Sequence, residues 1–213
     1  MTSPRISDST VRRLSVYLRL LRELIEEGRE VVSSRELAER SGTTSAQVRK
    51  DLSLFGSFGK RGRGYTVAEL EASLRRILGL GRRWRVGLVG VGKIGSALLG
   101  YEDLARRGFD VVAAFDNDPQ KIGTTVFGVE VTDLEELEAT VRERDVEMAI
   151  VATPPGAAQE VADRLVKAGV SGLLNFAPVK LDTPDEVAVR SMDVALEMEG
   201  LSFDLSFEGD AEK

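Results

Sequence analysis

An α/β protein in two unlike parts is what this 213-residue sequence predicts, and three observations predict it. Two capped stretches of helical periodicity flank Ser41-Gly42. An apolar strand runs into Gly90-Val91-Gly92-Lys93-Ile94-Gly95, and from there to Pro178 strand-like and helix-like runs alternate. The first pattern is that of a helix-turn-helix; the other two together are that of a Rossmann-like, doubly wound parallel sheet.

The composition leaves room for two cores. Hydrophobic residues make up 42% of the chain and charged residues 30%, which is not the signature of disorder. No apolar run nears the ~18 residues needed to cross a bilayer. The polar start, Met1–Ser9, leads into an Arg-studded helix and is unlike a secretion signal. Cysteine and histidine are both absent. That removes disulfides, thiolate and imidazole metal sites, and every Ser-His or Cys-His nucleophile. A soluble, cytoplasmic protein without membrane or metal partners is expected. The net charge of −6 is unevenly shared: residues 1–85 carry 18 Lys and Arg against 10 Asp and Glu, whereas 86–213 carry 11 against 25. A basic part joined to an acidic one fits one region that meets a polyanion and another that does not.

Val11, Leu14, Leu18, Leu21 and Ile25 recur at helical spacing, giving an amphipathic helix over about Ser9–Glu27 that stops at Gly28. Ser33-Ser34-Arg35-Glu36 reads as a capping box, in which the Ser33 hydroxyl accepts from the Glu36 amide while the carboxylate reaches back. It opens a short helix, Arg35–Arg40, halted by Ser41-Gly42. Thr44-Ser45-Ala46-Gln47 repeats the device and opens a third helix, about Ser45–Phe55. Val48, Leu52 and Phe55 share its inner side and leave Gln47, Arg49, Lys50 and Ser53 outward. Those are side chains that hydrogen-bond base edges and phosphates in a major groove. Capping by Thr44 leaves the helix N-terminus, from Ser45, able to face a phosphate. Four glycines between Leu54 and Val67 allow a tight β-ribbon, with Phe58 and Tyr65 at its base and Lys60, Arg61 and Arg63 near its tip. A short basic hairpin after a reading helix is a wing. Val67–Leu78 closes the unit through Leu70, Leu74, Ile77 and Leu78. Residues 1–80 are therefore expected to form a winged helix that binds double-stranded DNA with a steep salt dependence.

After Leu78-Gly79-Leu80-Gly81 the pattern changes. Arg85–Val89 is a strand, Gly90 makes the tight turn, Gly92 lets backbone approach a pyrophosphate, and Gly95 allows a helix to pack closely on the strand. Ile94, Ala97 and Leu98 are expected to face inward from that helix, whose N-terminus offers amides and a positive dipole end. A second strand, Val111–Phe115, ends in Asp116, placed to accept from both adenosine ribose hydroxyls and to repel a 2′-phosphate. No Arg follows it, so NAD(H) is favoured over NADP(H). Phe127–Val131 reads as a strand, Leu134–Arg144 as a helix, Met148–Thr153 as a buried strand, Gly156–Ala168 as a helix, and Leu173–Pro178 as a strand with its loop. Thr153-Pro154-Pro155 and Asn175-Phe176-Ala177-Pro178 fall at carboxyl edges, where a nicotinamide could lie. This dinucleotide-binding part spans residues 81–190, and 191–213 form a C-terminal segment.

Catalysis is not expected. Hydride transfer to a carbonyl wants a positioned acid or base, and there is no histidine. Tyr17 and Tyr65 belong to the first part, Tyr101 lies just beyond the glycine-motif helix, and Lys180 stands alone with too few residues after it for a substrate domain. Two alternatives stay open: a winged-helix regulator that senses another nucleotide such as CoA, and a dehydrogenase with a DNA-binding appendage.

With both parts in view, the chain resembles the Rex family of redox-sensing transcriptional repressors along nearly its whole length. Tyr17-Leu18-Arg19, Gln47–Ser53, Phe55–Gly59 and Gly62–Val67 carry the resemblance in the first part, and Ile77–Leu80, Gly90–Gly95 and Asn175–Pro178 carry it in the second. The resemblance implies a homodimeric repressor that senses the NADH/NAD+ ratio, holding a palindromic operator when that ratio is low and released from it by NADH. It implies a C-terminal helix swapped onto the partner subunit, here Ala195–Phe207 with Leu196, Met198, Leu201, Phe203 and Phe207. Read alone, that segment fits packing at home or across a dimer equally well. The resemblance further implies a switchable ion pair between Arg19 and Asp193, with Tyr101 near the cofactor. Where relatives are expected to carry an aromatic residue after that aspartate, this chain has Val194.

Overall fold

The structure, a computed structural model, describes residues 6–59 and 63–208, which fall into two compact units, Met1–Arg82 and Arg83–Lys213. The first contains α1 (Asp8–Glu26), β1 (Val31–Val32), α2 (Ser34–Ser41), α3 (Ser45–Ser53), β2 (Tyr65–Thr66) and α4 (Val67–Ile77). Two of its helices, α2 and α3, begin at the hydroxyl caps that the sequence marks, whereas α1 starts after Ser7 and α4 has no side-chain cap. Ser33 accepts from the Glu36 amide and Thr44 from the Gln47 amide, each worth roughly 1 kcal/mol. Gly42 ends α2 with φ +67°, a left-handed cap that spares the strain of a side chain. The reciprocal half of each capping box does not form. The Glu36 carboxylate pairs with Arg29 and Arg40, and the Gln47 amide turns to Asp51.

The core joins Leu14, Tyr17, Leu21 and Leu24 of α1 to Leu37, Val48, Leu52, Leu70 and Leu74. The inner stripe of α1 therefore runs through Tyr17 and Leu24, while Ile25 is 45% exposed. The return strand of the expected ribbon pairs elsewhere than predicted. Tyr65 and Thr66 form an antiparallel ladder with Val32 and Val31, in the connection between α1 and α2. Gly64 is needed there, because at φ +78° an added Cβ would lie 2.6 Å from the Val32 carbonyl oxygen. Lys60 and Arg61 lie outside the described residues.

The second unit contains β3 (Trp84–Val89), α5 (Lys93–Leu99), α6 (Glu102–Arg106), β4 (Phe109–Asp116), β5 (Thr125–Val126), β6 (Val129–Asp133), a 3-10 turn at Leu134–Glu136, α7 (Leu137–Glu143), β7 (Met148–Val151), α8 (Pro155–Ala168), β8 (Gly172–Asn175), β9 (Ala188–Ser191) and α9 (Val194–Glu208). The sheet order is β5-β6-β4-β3-β7-β8-β9. All neighbours run parallel except β5 against β6. Starting from β3, the parallel strands follow the 3-2-1-4-5-6 order of a dinucleotide-binding fold, with the strand order reversing between β3 and β7.

Helices cover both faces. Leu137, Val141, Ala158, Val161 and Leu165 of α7 and α8 pack on Val89, Phe115 and Val151. Leu98, Leu99 and Leu104 of α5 and α6 pack on the face of Val86, Leu88 and Ile150. Three local expectations are corrected. Phe127–Val131 is not one strand: Phe127 and Gly128, both with positive φ, make the two-residue turn between β5 and β6. Leu98 turns to the sheet as expected, but Ile94 and Ala97 face outward and Leu99 joins Leu98 instead. Finally, α6 and β9 are elements that periodicity did not reveal, since each is four or five residues long.

Candidate nucleotide cleft and nucleic-acid interface

The turn after β3 lies at the switch point of the sheet. Gly90 has φ +96°, and a Cβ there would meet the Ala152 carbonyl oxygen at 2.6 Å and the Thr153 amide at 3.1 Å, so the β3 and β7 loops touch through bare backbone. At Gly95 a side chain would collide with the Gly90 carbonyl, which is how α5 comes down onto β3. Gly92 differs, because open space surrounds its missing Cβ. A cleft of about 440 Å³ opens there, lined by Gly90, Gly92, Asp116, Lys121, Thr153 and Pro154 among others. Because α5 has only seven residues, the turn amides rather than a long helix dipole are what this cradle offers an anion.

Asp116, at the end of β4, is nearly buried. Its carboxylate accepts from the Val91 amide (2.8 Å), the Asp118 amide (2.9 Å) and Lys121 Nζ (3.0 Å). Burial pushes its pKa up, but the two amides and the ammonium outweigh burial and hold it below the ordinary carboxylate value. Lys121, five residues on, is a cation beside Asp116 that the spacing of the motif does not mark. Thr153 Oγ1 is buried in the same cleft with no hydrogen-bond partner, and such a group normally has one.

The other expected contacts distribute unevenly. Val91 is buried behind the turn, and Lys93 and Ile94 are exposed beside it. Asn175 is fully buried and its amide is spent on its own loop, accepting from the Ala177 amide and donating to the Ala177 and Val179 carbonyls. It shapes the Phe176-Ala177-Pro178 loop, in which Pro178 is exposed, instead of offering a polar atom to a ligand. Tyr101 caps α6 and lines a separate groove of about 550 Å³ with Leu98, Phe109 and Phe127. Asp193 accepts from the Ala195 amide at the start of α9, and Arg19 lies 4.0 Å from Glu23 on α1.

On the first unit, Arg49, Lys50, Ser53 and Arg63 are exposed. Arg49 donates to Ser34 Oγ at 3.1 Å, tying the third helix to the start of the second, and the Ser53 hydroxyl donates to the Lys50 carbonyl. Thr44 is exposed at its cap and Ser45 half-buried. Gln47 was expected to face away from the core. It is instead half-buried, its Nε2 donating to Asp51 Oδ1 at 2.8 Å. Asp51 also takes both Arg13 Nε (2.6 Å) and Nη2 (2.8 Å) and the Tyr17 hydroxyl (3.0 Å). That cluster was missed, although a carboxylate three residues after Val48 on the inner stripe was its visible trace.

Residues 5–53 match a family model described as "Putative DNA-binding protein N-terminus", and residues 82–179 match one described as "CoA binding domain". The chain is 50% identical to the redox-sensing transcriptional repressor Rex of Carboxydothermus hydrogenoformans, over 94% of this chain and 97% of that one. The chain belongs to the Rex family. Rex of Desulforamulus reducens is 47% identical over 97% of this chain and 98% of its own length. The solved structure of RSP in complex with β-NAD+ and operator DNA matches with a TM-score of 0.91 at 36% identity, covering 96% of this chain and 94% of that chain. RSP in complex with β-NADH matches at 0.87 and 35%, covering 96% of each. These Rex relatives are named as repressors, and among the described residues of this chain no helix is long and apolar enough to cross a membrane and no acidic cluster could hold a metal ion.

Proposed function

We propose that this chain is a homodimeric, non-catalytic repressor that binds operator DNA through α3 and the wing and a nicotinamide dinucleotide in the Gly90–Asp116 cleft, the reduced form releasing the DNA. A cytoplasmic location follows from that role. The observation that carries the reading is one cleft with a glycine cradle, an orphaned Thr153 hydroxyl and a charged Asp116, on the same chain as a capped helix presenting Arg49 and Lys50.

The residues fit a dinucleotide. The Gly90 and Val91 amides are taken by the Phe115 carbonyl and Asp116, so the amides from Gly92 onward would hold the pyrophosphate, with the missing Gly92 side chain giving room, and Asp116 would accept from the adenosine ribose. Thr153 Oγ1 supplies a donor that the protein leaves unused. When bound, the nicotinamide supplies a difference of charge and ring shape between its two redox states, and no reaction. The titratable side chains lining the cleft are Asp116, Asp118 and Lys121, tied to one another, which supports binding without turnover.

The dimer reading rests on two apolar surfaces of one chain. Leu196, Met198, Leu201 and Leu205 of α9 are about half to two-thirds exposed. An apolar groove of about 380 Å³ lies open on the sheet between Leu104, Phe109, Met148 and Leu174. Exchange of α9 between protomers would bury both, and the family's implied Arg19–Asp193 pair would then report the state of one protomer to the reading head of the other. By linkage, NADH that disfavours the DNA-binding arrangement must itself be bound less tightly by the operator complex.

Titration of NADH into the protein–operator complex tests this. Release is expected with NADH and retention with NAD+, while Arg49→Ala weakens operator binding about tenfold and leaves NADH affinity unchanged. Operator affinity indifferent to NADH would end the proposal. The match to a CoA-binding domain favours a second reading, in which CoA is the sensed nucleotide; displacement of bound NADH, followed by its fluorescence, distinguishes the two.

A further inference from the structure

We propose that Gln47 reads an adenine in the major groove, its side-chain amide held in the adenine-reading orientation by Asp51; this rests on the DNA-binding reading above. Asp51 is 1% exposed in the middle of α3, an unusual place for a carboxylate unless its partners are fixed. An ionised carboxylate only accepts and offers about four lone-pair sites. Here four donors fill them: Arg13 Nε and Nη2, the Tyr17 hydroxyl and Gln47 Nε2. Burial pushes the Asp51 pKa up, but the bonds from Arg13, Gln47 and Tyr17 bring it below the ordinary value, so the group is charged at neutral pH.

The orientation of Gln47 follows. Facing a group that cannot donate, it must present nitrogen, which turns Oε1 and the second N–H away from Asp51. Gln47 is the third residue of α3, on the turn before Lys50, and the first residues of a reading helix are those that meet base edges. An acceptor beside a donor complements N6–H and N7 of adenine. Guanine shows two acceptors at that edge, so Oε1 would oppose O6 with no proton between them. A freely turning amide could flip to suit guanine; one anchored to a buried carboxylate cannot. Asp51 is thus a positioning residue, and what it positions is specificity as well as the seat of α3 on α1.

The test uses the full chain and an operator that it selects from a randomised duplex pool, with each base pair then varied singly. Wild-type protein is expected to show, in each half-site, one A·T pair at which adenine to guanine costs roughly ten- to hundredfold. Substituting 7-deazaadenine at that pair should also cost affinity, since N7 is removed. Gln47→Ala should flatten the preference at that pair alone, and Asp51→Asn should flatten it at the same pair while other positions keep their rank. Gln47→Glu, with two acceptors outward, should move the preference to cytosine. Where Asp51→Asn does not fold, the wild-type Gln47 side-chain amide protons, identified by their loss in Gln47→Ala, carry the orientation test. Protection from exchange is expected, and free exchange overturns it. An unchanged profile in Gln47→Ala overturns the proposal, as does an adenine-to-guanine ratio that survives Asp51→Asn. A chain that selects a duplex without an adenine preference at Gln47 removes this assignment alone; one that selects none removes the DNA-binding reading with it.

Discussion

At Gly95 a methyl group would run into the Gly90 carbonyl, whereas at Gly92, three residues earlier, it would meet open space. Gly92 also has φ −81°, which any residue tolerates. Gly95 is therefore needed for packing, and Gly92, which packing does not require, is the one left for the proposed binding. Gly92→Ala is expected to keep stability within about 0.5 kcal/mol and to lose at least tenfold in NADH affinity, because the methyl occupies the place of the pyrophosphate. Gly95→Ala should lower the melting temperature and lose binding along with it, through the disturbed seat of α5. Thermal unfolding and NADH fluorescence on both variants check this, and equal loss of stability in the two would refute the division. The motif was legible in the sequence. Which glycine does which needed the neighbouring carbonyl of Gly90, a tertiary fact.

Among the elements, α7 and α8 are joined by Arg164, which grips Glu138 with two hydrogen bonds of 2.7 and 2.8 Å. Those bonds pull the Glu138 carboxyl down to about 2 from its usual 4.5. A folded-state value below the unfolded one means that the pair stabilises at neutral pH and that its contribution is lost as pH falls from 4.5 towards 2. With both side chains about a quarter exposed, solvent screening limits that contribution to about 1 kcal/mol. Urea unfolding between pH 2 and 6 should show Glu138→Gln to be less stable than wild type at pH 6 and equal to it near pH 2. A gap that persists at pH 2 would contradict the ion-pair account. No pattern in the sequence pairs Glu138 with Arg164, since 26 residues and a strand separate them. The helices themselves were legible because their apolar spacing, as at Val161 and Leu165, repeats locally.

At the scale of the whole molecule, α9 is the element that one chain leaves unfinished. Leu201 is 49% and Leu205 69% exposed, more apolar surface than a free helix keeps in water without a partner. Leu201→Asp with Leu205→Asp is expected to weaken the proposed dimer by about 100-fold, the equivalent of roughly 3 kcal/mol for charge placed in an apolar interface. Sedimentation equilibrium would show monomer at concentrations where wild type is paired. Operator binding should fall with it, because a single reading head holds only one half-site. Unchanged association would place the dimer contact elsewhere.

The sequence by itself determined the two folds and their motifs, because caps, glycine turns and hydrophobic periods are local signals read within one or two turns of chain. It placed Ser33 and Thr44 at helix starts, Gly90–Gly95 after a strand and Asp116 at the end of the next. Only the tertiary structure decided which polar groups face which. Asp51 is filled by Arg13, Tyr17 and Gln47, Asp116 is joined by Lys121, Asn175 is turned inward on its own loop, and the return strand of the wing lies against Val31–Val32. Hydrogen bonds of that kind are set by which distant segments the packed core brings within 3 Å, and no periodicity along the chain encodes that distance.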